Sequence, residues 1–315
     1  VKKMWELFNN LLTDYTFQTV ALGTGFLGLF SGVIGTLATL KQESLLGDVL
    51  SHSALPGIGL AFLFLGEKNL VVMLVGAAIA GGFATLLINW MKNKSIIKGD
   101  GAMALTLSSF FGLGLVIMTY IQKRPNGNQA GLGNFIYGQA SSMLVKDVRL
   151  SVVLGSIMLL LLIIFWKEIK LFIFDPVFAH TVGFSSRFLN SLISLMIVVT
   201  VVIGLESVGV VLMSTMLIAP SIAARQWSNR MHIVTIIAGI FGFLSGVIGS
   251  FISSVGVKIP TGPTIVLTAS LFVLISILFA PQRGLVARQL RHHRNKQELL
   301  KKAKELDDGK ERVTT

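Results

Sequence analysis

Nine stretches of this chain, at roughly 17–40, 45–66, 69–91, 102–121, 148–166, 188–205, 207–224, 233–254 and 262–281, are apolar and nearly free of charge. A bilayer's hydrocarbon core takes ~20 apolar residues to cross as a helix. It offers backbone N–H and C=O groups no partners except one another, so helices or closed barrels are the only spanning structures. Runs of this length dictate an all-α polytopic membrane bundle of eight to nine transmembrane helices, with the pair between 188 and 224 deciding the count. The composition agrees: 53% of residues are hydrophobic and 13% charged, against roughly a quarter charged in a soluble domain.

The formal net charge of +12 is explained by topology. Basic residues are thin among the apolar runs and dense after Pro281, and Lys and Arg collect on the cytoplasmic side. Residues 283–315 then form a basic cytoplasmic tail able to lie along anionic lipid. No aromatic-interleaved basic platform accompanies it, so nucleic acid is excluded as a partner. Counting back from that tail puts the N-terminus outside, with residues 1–16 as an interfacial amphipathic helix and 17–282 as the transmembrane domain. Gly is abundant, with 32 residues, and small residues let membrane helices approach closely. FSGVIG at 30–35 and LSGVIG at 244–249 share wording, which the commonness of Gly, Val and Ile in such helices accounts for without a repeat.

Placing every acid and histidine narrows the chemistry. Among the acids, Asp48 alone lies well inside a run; Glu43 and Glu206 lie nearer boundaries, and the others fall in loops, span ends or the tail. Among the histidines, His52 alone is intramembrane. An ionised side chain at the bilayer centre costs on the order of 3 kcal/mol on insertion scales, so such groups face a bundle interior or a pathway. At i and i+4 on a helix the two side chains are neighbours and both can reach one ion. Measured from Lys41 at ~1.5 Å per residue, Asp48 is about 10 Å deep and His52 about 16 Å. Two readings stand: a metal-contacting pair, with Glu43 and Glu206 as weaker candidates, or a hydrogen-bonded pair serving as structural glue. Glu43 equally suits an interfacial acid paired with Lys41.

Pro56 has no N–H to give the carbonyl of His52, and Gly57 follows it, so a helix break is expected there. Oxygen plus nitrogen without sulfur suits Mn or Zn better than Cu(I), and the chain has no cysteine. Two copies meeting about an axis would converge two Asp and two His. Neither a GxxxxGK[ST] phosphate loop nor HExxH is present, so the chain is not an enzyme of either kind. In FDPVFAHTVGFSSRF, Asp175 suits the cap of a short helix opened by Pro176 and ended by Gly183. Such a helix between two spans reads as a docking element or as an ordinary connecting loop.

KQESLLGDVLSHSALPGIGLAF, FDPVFAHTVGFSSRF, SVGVVLMSTMLIAPSIAARQW and VKIPTGPTIVL, in that order, resemble the permease subunits of manganese- and zinc-type ABC importers. The resemblance implies a type II ABC importer-like permease in the bacterial cytoplasmic membrane, carrying Mn(II), with Zn(II) as the alternative and no permanently bound cofactor. It also implies a second copy of the chain, a cytoplasmic ATPase dimer and an extracellular or periplasmic metal-binding protein as partners. Asp48 and His52 match the family's metal-contacting pair. The segment 167–187, with Asp175, Pro176, Ala179, Val182 and Gly183, matches the part that docks on the ATPase, although the loop lacks a Glu-Ala-Ala opening. A secondary transporter using Asp48 and His52 as a proton relay is the alternative from a different class.

Overall fold

A computed structural model describes residues 14–66, 69–123, 138, 140–256 and 259–289. The expected interfacial helix at 1–16 and the tail at 283–315 therefore lie largely outside the described residues. The helices are α1 (Tyr15–Leu40), α2 (Leu46–Leu65), α3 (Leu70–Lys94), α4 (Gly99–Gln122), α5 (Val145–Ile164), α6 (Trp166–Phe174), α7 (Pro176–Thr181), α8 (Ser186–Val208), α9 (Val210–Arg225), α10 (Met231–Val255) and α11 (Thr261–Phe279). Among the described residues, eight helices are long and apolar enough to cross a membrane. The run at 207–224 forms α9, which has 16 residues and so is ~24 Å long, short of the ~30 Å hydrocarbon core.

The α8–α9 pair is separated by a single residue, Gly209, at φ +82°, a region glycine enters without steric cost. The chain reverses there. Asn190 near the start of α8 receives the Lys41 ammonium at 2.7 Å, and Arg225 at the end of α9 donates to the Thr39 carbonyl at 3.1 Å. Both helices therefore reach the same end of α1.

Helix α1 is the centre of the bundle, and its closest neighbour is α10. The approach is made by small residues one turn apart. A Cβ on Gly28 would overlap the carbonyl oxygen of Gly242, one on Gly32 that of Ala238, and one on Gly246 that of Thr24. The pairing runs antiparallel. Between membrane helices packing and hydrogen bonding drive association, since lipid is as apolar as Leu, and here Thr24 Oγ1 and Ser250 Oγ meet at 2.8 Å. FSGVIG and LSGVIG do not face each other: Gly32 meets Ala238 and Gly35 meets Leu217, while Gly246 meets Thr24 and Gly249 meets Ile265.

Outward, the polarity is that of a protein in lipid. Val71, Val75, Ile79, Phe83, Leu86 and Trp90 are all exposed at helical spacing on α3, a stripe for hydrocarbon. Helix α2 packs on α3, α4 and α9. It does not break at Pro56: α2 is continuous from Leu46 to Leu65, correcting the expectation for Pro56 and Gly57. Proline removes one hydrogen bond, but the ring is packed against Gly114 of α4, where a Cβ would come within 3.1 Å of Pro56 Cδ. Gly57 serves a close approach to Gly76 of α3.

Gly28→Val should destabilise the fold by about 3 kcal/mol through overpacking, whereas Gly82→Ala, which meets nothing within 4 Å, should be near neutral. Thermal unfolding of the two variants in detergent checks the contrast.

Candidate metal site and docking segment

The connection 41–45 turns back into the bundle before α2 begins. Gln42 takes φ +61°, the Glu43 N–H donates to the Ala38 carbonyl at 2.9 Å, and the Glu43 carbonyl accepts from Leu46 N at 2.9 Å. Asp48 consequently sits in the first turn of α2. Gly47 beside it packs on Leu217 of α9, and so does Gly35 of α1. That level is five residues inside the end of α1, ~7.5 Å along its axis, so the start of α2 is sunk into the bundle.

His52 lies one turn further on. Its Nε2 is 3.5 Å from Asp48 Oδ1, with the side chains 17% and 37% exposed respectively. This spacing is long for a charge-assisted hydrogen bond, which is typically ~2.7–2.9 Å. It is an ordinary i,i+4 ion-pair spacing, and it also allows both atoms to reach one ion, since a metal ~2.1 Å from each would subtend roughly 113°. Phe111 of α4 meets the imidazole edge-on at a centroid distance of 4.6 Å, and Ser214 of α9 donates to the Asp48 carboxylate. His52 Nδ1 is buried without a hydrogen-bond partner. An unsatisfied buried group costs ~1–3 kcal/mol.

Among the described residues no group of three or more His, Cys, Asp or Glu side chains could hold a metal ion. One chain thus brings together only Asp48 and His52. Glu43 is not free to join them: Lys41 Nζ lies 3.0 Å from Glu43 Oε2, and Lys92 Nζ pairs with Glu43 Oε1. The interfacial pairing with Lys41 is present, and Lys92 is added to it. Glu206 lies in the last turn of α8, and its side chain is outside the described residues.

At the end of the bundle where 41–45 lies, Asp175 Oδ1 accepts from Phe178 N at 2.8 Å and caps α7, with Pro176 at its first position. Gly183 takes φ +98°, and the Phe184 N–H returns to the Ala179 carbonyl at 3.0 Å. Ala179 is fully buried, anchoring the helix, while Val177, Phe178 and Val182 are more than half exposed. The short helix thus presents an apolar knuckle outside the bundle. Val177 and Phe178 fall inside the expected docking segment without having been singled out, whereas Phe111, Ser214 and Lys92 were missed, because no spacing indicates which helix faces α2.

The ABC 3 transport family matches residues 13–280. The chain is 43% identical over 284 residues to the zinc transport system membrane protein TroC of Treponema pallidum, covering 90% of this chain and 95% of that protein. It is 46% identical over 274 residues to the manganese transport system membrane protein MntC of Bacillus subtilis, covering 87% of this chain and 63% of that longer protein. Among solved structures, PsaBC from Streptococcus pneumoniae in complex with Fab superposes with a TM-score of 0.78 at 29% identity, covering 92% of this chain and 99% of that one.

Burial acts to raise the pKa of Glu43, but the adjacent Lys41 and Lys92 outweigh it and hold the carboxyl below the ordinary glutamate range. A depressed carboxylate pKa stabilises the fold above the unfolded value, and that stability is lost as pH falls through the folded one. Glu43→Gln should therefore cost on the order of 1–2 kcal/mol near neutral pH. The gap from the unsubstituted protein should close only below the ordinary glutamate range, as read by thermal unfolding against pH.

Proposed function

From the premise that the chain belongs to the ABC 3 transport family, we propose that it is the permease subunit of an ATP-driven importer carrying Mn(II) across the bacterial cytoplasmic membrane. Members of this family are membrane subunits, not enzymes. ATP hydrolysis falls to a separate ATPase dimer seated on Val177, Phe178 and Val182, and an external metal-binding protein delivers the ion at the other face. The docking segment is then cytoplasmic, the N-terminus outside and the C-terminus inside.

The observation that carries this reading is the incomplete site. Asp48 Oδ1 and His52 Nε2 lie 3.5 Å apart, within reach of one ion, with no third ligand of the usual kinds among the described residues. A second copy across an axis supplies another Asp48 and His52, and four ligands replace much of the water a divalent ion sheds on entering the membrane. Two carboxylates neutralise the ion's charge, which lowers the cost of holding it in an apolar bundle. Oxygen and imidazole donors suit Mn(II), the metal named for the Bacillus relative. Zn(II) accepts the same donors and is the second reading, favoured by the similarity to the Treponema zinc protein over nearly its whole length. The proton-relay alternative finds no support in the family.

Asp48→Asn and His52→Ala should each lower Mn(II) uptake at least about tenfold, the loss expected from an outer partner alone being ~10–100-fold. Uptake is measured in cells with membrane expression confirmed. Unsubstituted rates in both variants would remove the site assignment.

A further inference from the structure

The cluster at the inner end of α2 is a partly buried ionic group that the metal site does not use. Glu43 is held by Lys41 and by Lys92 at the end of α3, with side-chain exposures of 15%, 11% and 31%. Lys41 also donates to Asn190 Oδ1 at 2.7 Å. The positions of these partners give the cluster a direction. Asn190 is on the opening turns of α8, whose cap, Ser185, accepts from Phe188 N. Two residues before that cap lies Gly183, the end of the docking segment. On the other side, the backbone of Glu43 fixes the start of α2 through the Leu46 N–H, and Asp48 is five residues along. Surface ion pairs contribute little, but a poorly solvated acid shared by two lysines resists separation, so the turn 41–45 moves with α3 and α8.

We propose that Lys41, Glu43, Lys92 and Asn190 form the joint through which displacement of the docking segment reaches the helix bearing Asp48. Glu43 and Asn190 act as positioning residues, not as ligands. The inference rests on the proposed docking of an ATPase on the 175–183 segment. In the joint, the Lys41 to Asn190 hydrogen bond links α8 to the turn, and the lysine pair on Glu43 links the turn to α3. Cutting the first link should leave ATP hydrolysis intact and uncouple it from transport.

The test uses the full complex of two permease copies and the ATPase subunits in lipid vesicles, measuring metal carried per ATP hydrolysed. Asn190→Leu keeps the side-chain volume and removes the acceptor; the ratio should fall about tenfold, the scale of one lost hydrogen bond to a charged group. Asn190→Asp keeps the acceptor and should hold the ratio within about twofold of the unsubstituted complex. A purely structural role would lower yield and melting temperature without separating these two variants in the ratio. Val182→Asp, measured alongside, should lose the ATPase from the purified complex. If the ATPase stays bound to Val182→Asp, the docking reading fails and the inference with it. If Val182→Asp releases the ATPase but Asn190→Leu keeps the unsubstituted ratio, the inference alone is overturned.

Discussion

Hydrocarbon offers a polar group nothing to bond with, and the bundle answers that constraint almost everywhere by turning its hydroxyls back onto helices. Thr24, Ser31 and Thr39 each accept or donate within α1 and across to α10 or α9. Glycines bring those helices close enough for the exchange, as at Gly28 and Gly242. Asp48 and His52 depart from this pattern. Their facing atoms are too far apart for a strong hydrogen bond, and one imidazole nitrogen has no partner. A polar group left so in this medium calls for an explanation.

The sunken start of α2 governs the rest of that site. Because the chain turns back at Gln42 and restarts the helix beside Leu217, Asp48 occupies a helix N-terminus below the level of the bundle's end. Helix N-termini carry partial positive charge, which favours the carboxylate there. The same turn carries Glu43 and its two lysines. The residues at the inner end are thereby committed to fixing the helix, and Asp48 and His52 lie one turn deeper, free of that pairing.

Much of this was legible in the sequence, for a physical reason. Length and polarity specify a membrane helix almost completely, so the nine apolar runs became helices and the intramembrane Asp48 and His52 stood out by elimination. Local chemistry was equally readable at the docking segment, where the Asp175 cap, Pro176 and Gly183 act within a few residues. What could not be read was lateral. Lys92 is 49 positions from Glu43, and no periodicity indicates that Ser214 and Phe111 converge on α2. Pro56 misled because the lost hydrogen bond is visible in one helix, while the packing against Gly114 that keeps the helix continuous belongs to another. The shortness of α9 was hidden by an apolar run longer than the helix it contains.

The central claim is that each chain carries half of one metal site. It is tested most directly by loading the purified complex with Mn(II) and measuring metal per chain together with the ion's coordination by X-ray absorption. The account requires one ion for two chains, with two imidazole nitrogens and carboxylate oxygens around it, and its loss in Asp48→Asn. One ion per chain, or a bound ion without imidazole, would contradict it.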